Sequence, residues 1–286
     1  IHGEAGMGLS AGGFFGRNAS LAIDWLGFGK DENHPSLTID TFEDNAQAGF
    51  GGRTVDLRQN FNNVFAIGGP DFYFQSGIAR AAMGPAYGAS PVLSGQAGQL
   101  PQFILAYDAG SFTYTSTYLE LTASNFVGEE RFPGKHMFVQ SLSWQPPLEG
   151  LELSLYQTSV WGGRFDLNYF VPFSFLFYNQ SLNGFEDNSL LGGALQYDFP
   201  KGISFKTAGY VDDADFNKLV RLDFGGKSKL VWDNRISLTP LQRWMRRLEL
   251  SYTIITPYMY THKGDRFVHD NYDNNTTVDD TDIPIT

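Results

Sequence analysis

The residues best suited to chemistry in this chain lie around VWGGRF, residues 160–165. Trp161 ends a strand-like segment, two glycines follow, and Arg164 comes next. An indole face can stack on the C–H face of a sugar ring, and a guanidinium beside it can bond hydroxyls or carboxylates. The same pieces also fit an interface-belt tryptophan with a turn behind it. Upstream, GLELSLYQTS places Glu152 and Tyr156 on one side of an extended chain and Leu151, Leu153 and Leu155 on the other. Trp161 and Arg164 are the first candidates for binding a sugar, with Tyr156 and Glu152 behind them on the polar side.

Other chemistry finds little support. The five histidines, at 2, 34, 136, 262 and 269, show no metal-ligand spacing, so no metal site is expected. A Ser–His–Asp set can be assembled in space, but no GxSxG accompanies it. Glu129 and Glu130 are adjacent, so on a strand they point to opposite faces and make a poor acid–base pair. GMGLSAGG, residues 6–13, has neither the spacing of a phosphate loop nor a Lys-Ser/Thr after it. It fits small residues on a crowded strand. The acidic tail, residues 269–284, carries Asp273, Asp279, Asp280 and Asp282 without EF-hand spacing, and reads as a solvated loop or chain end. No catalytic residue and no cofactor is expected.

The elements that must position these residues are strands. SLAIDWLGF, QFILAYD, LLGGALQYDF, GISFKTAGYV and RLELSYTII all alternate apolar and polar residues. Their polar sides mix Glu, Asp, Lys, Gln, Ser and Thr with Gly and Ala, and their apolar sides often end in Tyr, Trp or Phe. Turn signals at 30–35, 68–71, 128–134, 146–150, 183–188, 200–202 and 212–215 divide the chain into roughly twelve strands of about ten residues. Short turns such as PKG alternate with longer polar stretches such as SNFVGEERFPGKH. LTPLQRWMRRLEL has room for a short helix before its alternating end.

Composition agrees. Of 286 residues, 18% are charged and 15% aromatic, with 32 glycines, while a soluble domain carries about 25% charged residues. Mean hydropathy is nevertheless −0.24. Few charges, many aromatics and a modest hydropathy are what alternating lipid-facing and water-facing residues produce. The longest apolar run, YFVPFSFLFY at 169–178, is interrupted by Pro172 and falls short of the ~20 residues a spanning helix needs. It fits a strand end on the aromatic belt, or a segment folded inward as a plug. A net charge of −11 disfavours nucleic acid as a partner, although Arg243, Arg246 and Arg247 are clustered. With no cysteine there is no disulfide framework. The expectation is an all-β, antiparallel transmembrane β-barrel of the outer-membrane type, residues 1–286 forming a single domain with its apolar residues toward the bilayer. The rival is a large soluble sandwich, with those residues meeting in a dry interior.

The order of several segments resembles the Wzi family of outer-membrane capsule assembly proteins. They are GPAYGASPVLSGQAGQLP (84–101), KHMFVQSLSWQPPLEGLELSLYQTSVWGG (135–163), DNSLLGGALQYDFPKGISFKTAGYVDDADF (187–216) and ELSYTIITPYMYTHKGD (249–265), a resemblance spread over about residues 70–270. Met83 stands where members often have Trp, and Ala86 where they have Gly. The resemblance implies a barrel in the cell outer membrane that binds capsular polysaccharide and assists capsule assembly or attachment, without catalysis. The polar end at Thr286 leads to the expectation that further strands lie beyond 286 and the barrel here is incomplete. The alternative function is a general diffusion channel, using the same barrel with an open lumen.

Overall fold

In the computed structural model, the described residues are 4–31, 44–50, 53–84, 90, 92–94, 99–121, 135–162, 164–183, 187–200, 202–212, 229–239, 247–256, 261–263 and 282–284. The acidic tail before 282, Glu129 and Glu130, residues 240–246 of the expected short helix and most of GPAYGASPVLSGQAGQLP lie outside them.

The chain is all-β, built as the wall of an outer-membrane-type β-barrel. Its strands are β1 (Glu4–Phe15), β2 (Ala19–Asp31), β3 (Asp44–Phe50), β4 (Arg53–Gly68), β5 (Phe72–Ala79), β6 (Leu100–Asp108), β7 (Phe112–Leu121), β8 (Lys135–Trp144), β9 (Leu151–Gly162), β10 (Asn188–Phe199), β11 (Ile203–Asp212), β12 (Leu230–Leu238) and β13 (Leu248–Ile255). Twelve run as one antiparallel path, β1-β2-β4 and then in sequence order to β13, with β3 paired to β4 off this path. Thr261–Lys263 and Asp282–Pro284 form a separate small pair.

Connections alternate in length along the meander. At one end the links are mostly short: residues 16–18, 69–71, 109–111, 145–150 and 200–202, with 239–247 longer. At the other, residues 80–99, 122–134, 163–187 and 213–229 join the strands. This is the asymmetry of short periplasmic turns and long external loops.

Because side chains alternate across each strand and register partners share a face, the pairing divides the residues into two faces. One carries Leu142, Leu155, Trp232, Ile236, Leu250 and Tyr252. These are open to the surroundings, Leu155 at 62% and Leu250 at 65%. The other carries Ser154, Thr158, Asp212 and Asp233, all buried. The side of β9 bearing the leucines is thus the open one, and the side bearing Glu152, Ser154 and Tyr156 is the covered one. A soluble sandwich requires the reverse.

At the short-turn end the apolar face carries a row of aromatics: Phe72, Tyr107, Phe112, Trp144, Tyr197 and Phe199. Phe112 and Trp144 are register partners with rings stacked 5.9 Å apart. Such a row suits the interface level of a bilayer, where an amphipathic ring meets both hydrocarbon and water.

Among the described residues, two connections double back over the sheet, one on each face. The segment after β5 crosses the polar face as a strap. Its Ala81 and Met83 join Leu119, Met137, Val139, Leu190, Ala208, Tyr210 and Val231 in one buried apolar cluster, with Val92 and Leu93 packed against it. The polar face is therefore dry at its long-connection end, where the sequence pattern implies wet residues throughout.

The second connection corrects the expectation for YFVPFSFLFY. It is neither a strand end nor a plug on the polar face. After Gly162 the chain forms a 3₁₀ turn, Leu167–Phe170, and a short helix α1, Leu176–Leu182. These lie as a flap against the apolar face: Gln140 donates to Val171 O at 3.2 Å, Gln157 donates to Ser174 O at 2.6 Å, and Leu176 N donates to Gln157 Oε1 at 2.9 Å. Pro172 prevents continued strand pairing on its N–H side. Phe173 takes the left-handed conformation, φ 58°, which turns the chain; its N–H donates to the Tyr114 hydroxyl and its ring stacks on Tyr114 at 4.0 Å.

Candidate functional site: the charged row and the strap

The four candidates from the sequence fall into two pairs on opposite faces. Glu152 and Tyr156 lie on the polar face of β9; Trp161 lies on the apolar face of the same strand, and Arg164 follows it into the flap. The structure does not bring them together into one sugar subsite.

Trp161 is wholly buried. Its ring stacks on Tyr169 at 4.5 Å and lies 5.7 Å from His136, and its Nε1 donates to Arg164 O at 3.0 Å. The stacking role expected of it has no open ring face here. Arg164 is likewise engaged, donating to Asp187 and, at 3.3 Å, to Asp166. Tyr169 and Asn183 also donate to Asp187. Asp187 is buried, and a buried carboxylate requires such donors. The VWGGRF motif thus serves as the root of the flap: Trp161 anchors it by packing and Arg164 by charge.

Glu152 stands in a polar row that the register lays across the sheet. Glu152 pairs with Gln196, Gln196 with Lys206, Lys206 with Arg235, and Arg235 with Ser251. Strand alternation puts all of them on the polar face, so a line of both signs runs from β9 to β13. Around this row Gln145 Nε2 donates to Glu152 at 3.4 Å, and Ser143 and Ser154 join hydroxyls at 2.8 Å. Arg235 lies between two carboxylates, 3.1 Å from Asp233 and 3.2 Å from Glu249. Thr253 donates to the other oxygen of Asp233 at 2.5 Å, and Arg247 donates to Glu249. Arg247 is the member of the LQRWMRRLEL cluster within the described residues, and it serves this acidic neighbour.

Toward the long-connection end the row gives way to Tyr156 and Tyr210, whose rings lie 6.2 Å apart beneath the strap. At Gly84 the strap comes close to the sheet. The residue has φ +88°, and a Cβ there would collide with the Tyr210 hydroxyl. The ring of Tyr210 in turn lies over Gly192, so two glycines give it space. Met83 N donates to Leu93 O at 3.0 Å, which closes the strap on itself. At its far end Gln99 accepts from Phe61 N at 3.1 Å and donates to Asn62 at 2.5 Å. The strap is thereby pinned at both ends, against Tyr210 and against β4.

Sequence reasoning found the polar sides of these strands but not the row, because register between strands is a long-range property. Lys206 and Glu249 were visible as polar-face residues; Arg235, Asp233 and Tyr210 carried no local signal beyond alternation.

No family model matches the chain, and no curated protein matches it. Among solved structures the chain is similar to the crystal structure of OccK8 (OprE) from Pseudomonas aeruginosa, with 11% identity over 88% of this chain and 92% of that one and a TM-score of 0.33. The fold assignment rests on the strand pairing and the facing of its side chains, since a likeness this loose bears no weight.

Proposed function

We propose that the chain forms the wall of an outer-membrane diffusion channel, with its polar face lining a water-filled passage that the strap narrows. One observation carries this reading: from β9 to β13, a row of mixed charge runs along the covered face while Leu155, Trp232, Ile236, Leu250 and Tyr252 stand open on the other. A charged row amid Ser and Thr suits a solvated lumen, and open leucines and tryptophans suit lipid. The apolar cluster under the strap supports a constriction at the long-connection end. Rings of charged side chains and constrictions are the means by which such passages select what crosses them.

The test is conductance in planar bilayers by the purified protein. Discrete current steps support the channel. A protein that inserts yet passes no current, with or without the strap, would falsify it.

The second reading is surface-polysaccharide binding with a role in capsule assembly, as the Wzi resemblance implies. What supports it is the row itself: Glu152, Gln196, Lys206 and Arg235 present acceptors and donors side by side, as sugar hydroxyls require. In this form Glu152 and Tyr156 remain candidates, and Trp161 and Arg164 act by holding the flap. Retention of capsular polysaccharide by the immobilised protein, lost in Glu152→Gln without loss of folding, would favour this reading over the channel.

A further inference from the structure

The apolar band of the strands under the flap stops partway, whereas on β12 it runs the length of the strand, broken only at Asn234, which bonds to Thr207 of β11. On β12 the apolar-face row is Leu230, Trp232, Asn234, Ile236 and Leu238. Its eight residue steps span about 26 Å along the strand, close to the ~25 Å apolar height of an outer-membrane wall. On β9 the corresponding row begins with Leu151, Leu153 and Leu155 but continues with Gln157 and Ser159 before Trp161. The apolar part covers only four residue steps, about 13 Å. β8 repeats the break, with Trp144 and Leu142 followed by Gln140, Phe138 and His136. So does β7, with Phe112 and Tyr114 followed by Ser116, Tyr118 and Glu120.

The flap lies over these polar halves. Gln140 and Gln157 bond to its backbone, and Tyr118 and Phe138 pack with Phe170. Its amphipathy is inverted, as the wall's is: Asn179 and Gln180 of α1 are buried, while Tyr178 and Leu182 are exposed at 61% and 60%. Leu167, Val171 and Phe173 are also open. The sole charged residue between 165 and 183, Asp166, is buried against Arg164 and Asn183. A polar outer patch is thus replaced by a neutral, apolar one, continuous with the open leucines of β9.

We propose that the outer surface of the flap, residues 165–182, faces the acyl chains of the bilayer and completes the lipid-facing band over β7–β9. The proposal rests on the membrane reading above. Hydrocarbon is the occupant that fits: the patch offers no charge, lies beside the wall's own apolar face, and covers the depth at which the strands run out of apolar residues. Without the flap, Gln140 and Gln157 would face lipid without the backbone partners that the flap gives them, and hydrocarbon supplies none.

The chain lacks cysteine, so single spin labels can be placed without removing native thiols. Leu167→Cys and Tyr178→Cys report on the flap, Leu250→Cys on the wall, and Ser251→Cys on the polar face. Each variant is reconstituted into phosphatidylcholine vesicles, and folding is checked by heat-dependent gel mobility. Relaxation by oxygen, which concentrates in hydrocarbon, is compared with relaxation by a water-soluble nickel chelate. The expected result is oxygen-dominated relaxation at 167, 178 and 250, with an oxygen-to-nickel ratio several-fold above that at 251. Nickel-dominated relaxation at 167 and 178, with 250 still in lipid, overturns the proposal and leaves the membrane wall intact. Shielding of 167 and 178 from both reagents indicates a second copy seated on the flap and also overturns it. Nickel-dominated relaxation at 250 removes the membrane reading, and the proposal with it.

Discussion

Gln140 and Gln157 are register partners on adjacent strands, and both side-chain amides bond to the flap. Gln157 donates to Gln140 Oε1 at 3.2 Å and to Ser174 O at 2.6 Å, while Gln140 donates to Val171 O at 3.2 Å. Two amides on an apolar face are a costly choice, and they are stable there because the flap backbone supplies their partners.

Replacing both, Gln140→Leu with Gln157→Leu, makes the wall apolar and deprives the flap of its bonds. Each lost bond should weaken flap docking by about 1 kcal/mol. The expected outcome is faster protease cleavage within 163–187, with the heat-dependent gel shift of the sheet unchanged.

Trp161 separates a binding role from an anchoring one. Trp161→Ala empties a fully buried ring site between Tyr169 and His136, at a cost of about 3–5 kcal/mol by analogy with core truncations. Trp161→Phe keeps most of the packing and loses the bond to Arg164 O. If the ring anchors the flap, protease resistance of 163–187 falls strongly in Trp161→Ala and mildly in Trp161→Phe, and any polysaccharide retention falls only in parallel.

Gly84→Val tests the strap. The residue has φ +88° and its Cβ would meet the Tyr210 hydroxyl, so the strap must shift or strain by about 1–3 kcal/mol. For a channel narrowed by the strap, single-channel conductance changes, and Tyr210→Ala in the same background relieves the clash, though not the strain of φ +88°, and restores strap order in part. Unchanged current in both variants would place the constriction elsewhere.

The charged row predicts ion preference. Arg235→Glu removes one positive charge and adds a negative one beside Asp233 and Glu249. Lys206→Glu does the same one register position away. Both should shift the zero-current potential in a salt gradient toward cation selectivity, and Glu152→Lys should shift it toward anions. The shifts should shrink at high salt, because solvated charges are screened over a Debye length of about 8–10 Å near physiological ionic strength.

Much of the wall was legible in the sequence, because a strand's facing pattern is local. The alternation in LELSLYQ, LLGGALQYDF and RLELSYTII placed Leu155, Leu195 and Leu250 opposite Glu152, Gln196 and Glu249, and the pairing keeps them there. Turn residues at 68–71, 146–150 and 200–202 marked links that the structure contains. The two overlays were not legible. YFVPFSFLFY is apolar on both sides, so its period distinguishes neither strand from flap nor one face from the other; only the glutamines across from it decide. The burial of Trp161 depends on Tyr169, which returns to it through a 3₁₀ turn that local propensity does not specify. The aromatic and guanidinium of VWGGRF thus take their role from residues distant in sequence, Tyr169 and Asp187, rather than from the motif itself.

From β4 onward every strand pairs with its neighbour in sequence. The sheet can therefore grow hairpin by hairpin, each step closing one loop whose entropy rises only logarithmically with length. At the other end β2 must find β4 across the β3 insertion, closing over residues 31–55, a span comparable to the 160–188 closure between β9 and β10. Pairing between sequence neighbours through most of the sheet points to zipper-like assembly, its slow steps set by the closures under the long connections, of which β9–β10 and β2–β4 are of similar span.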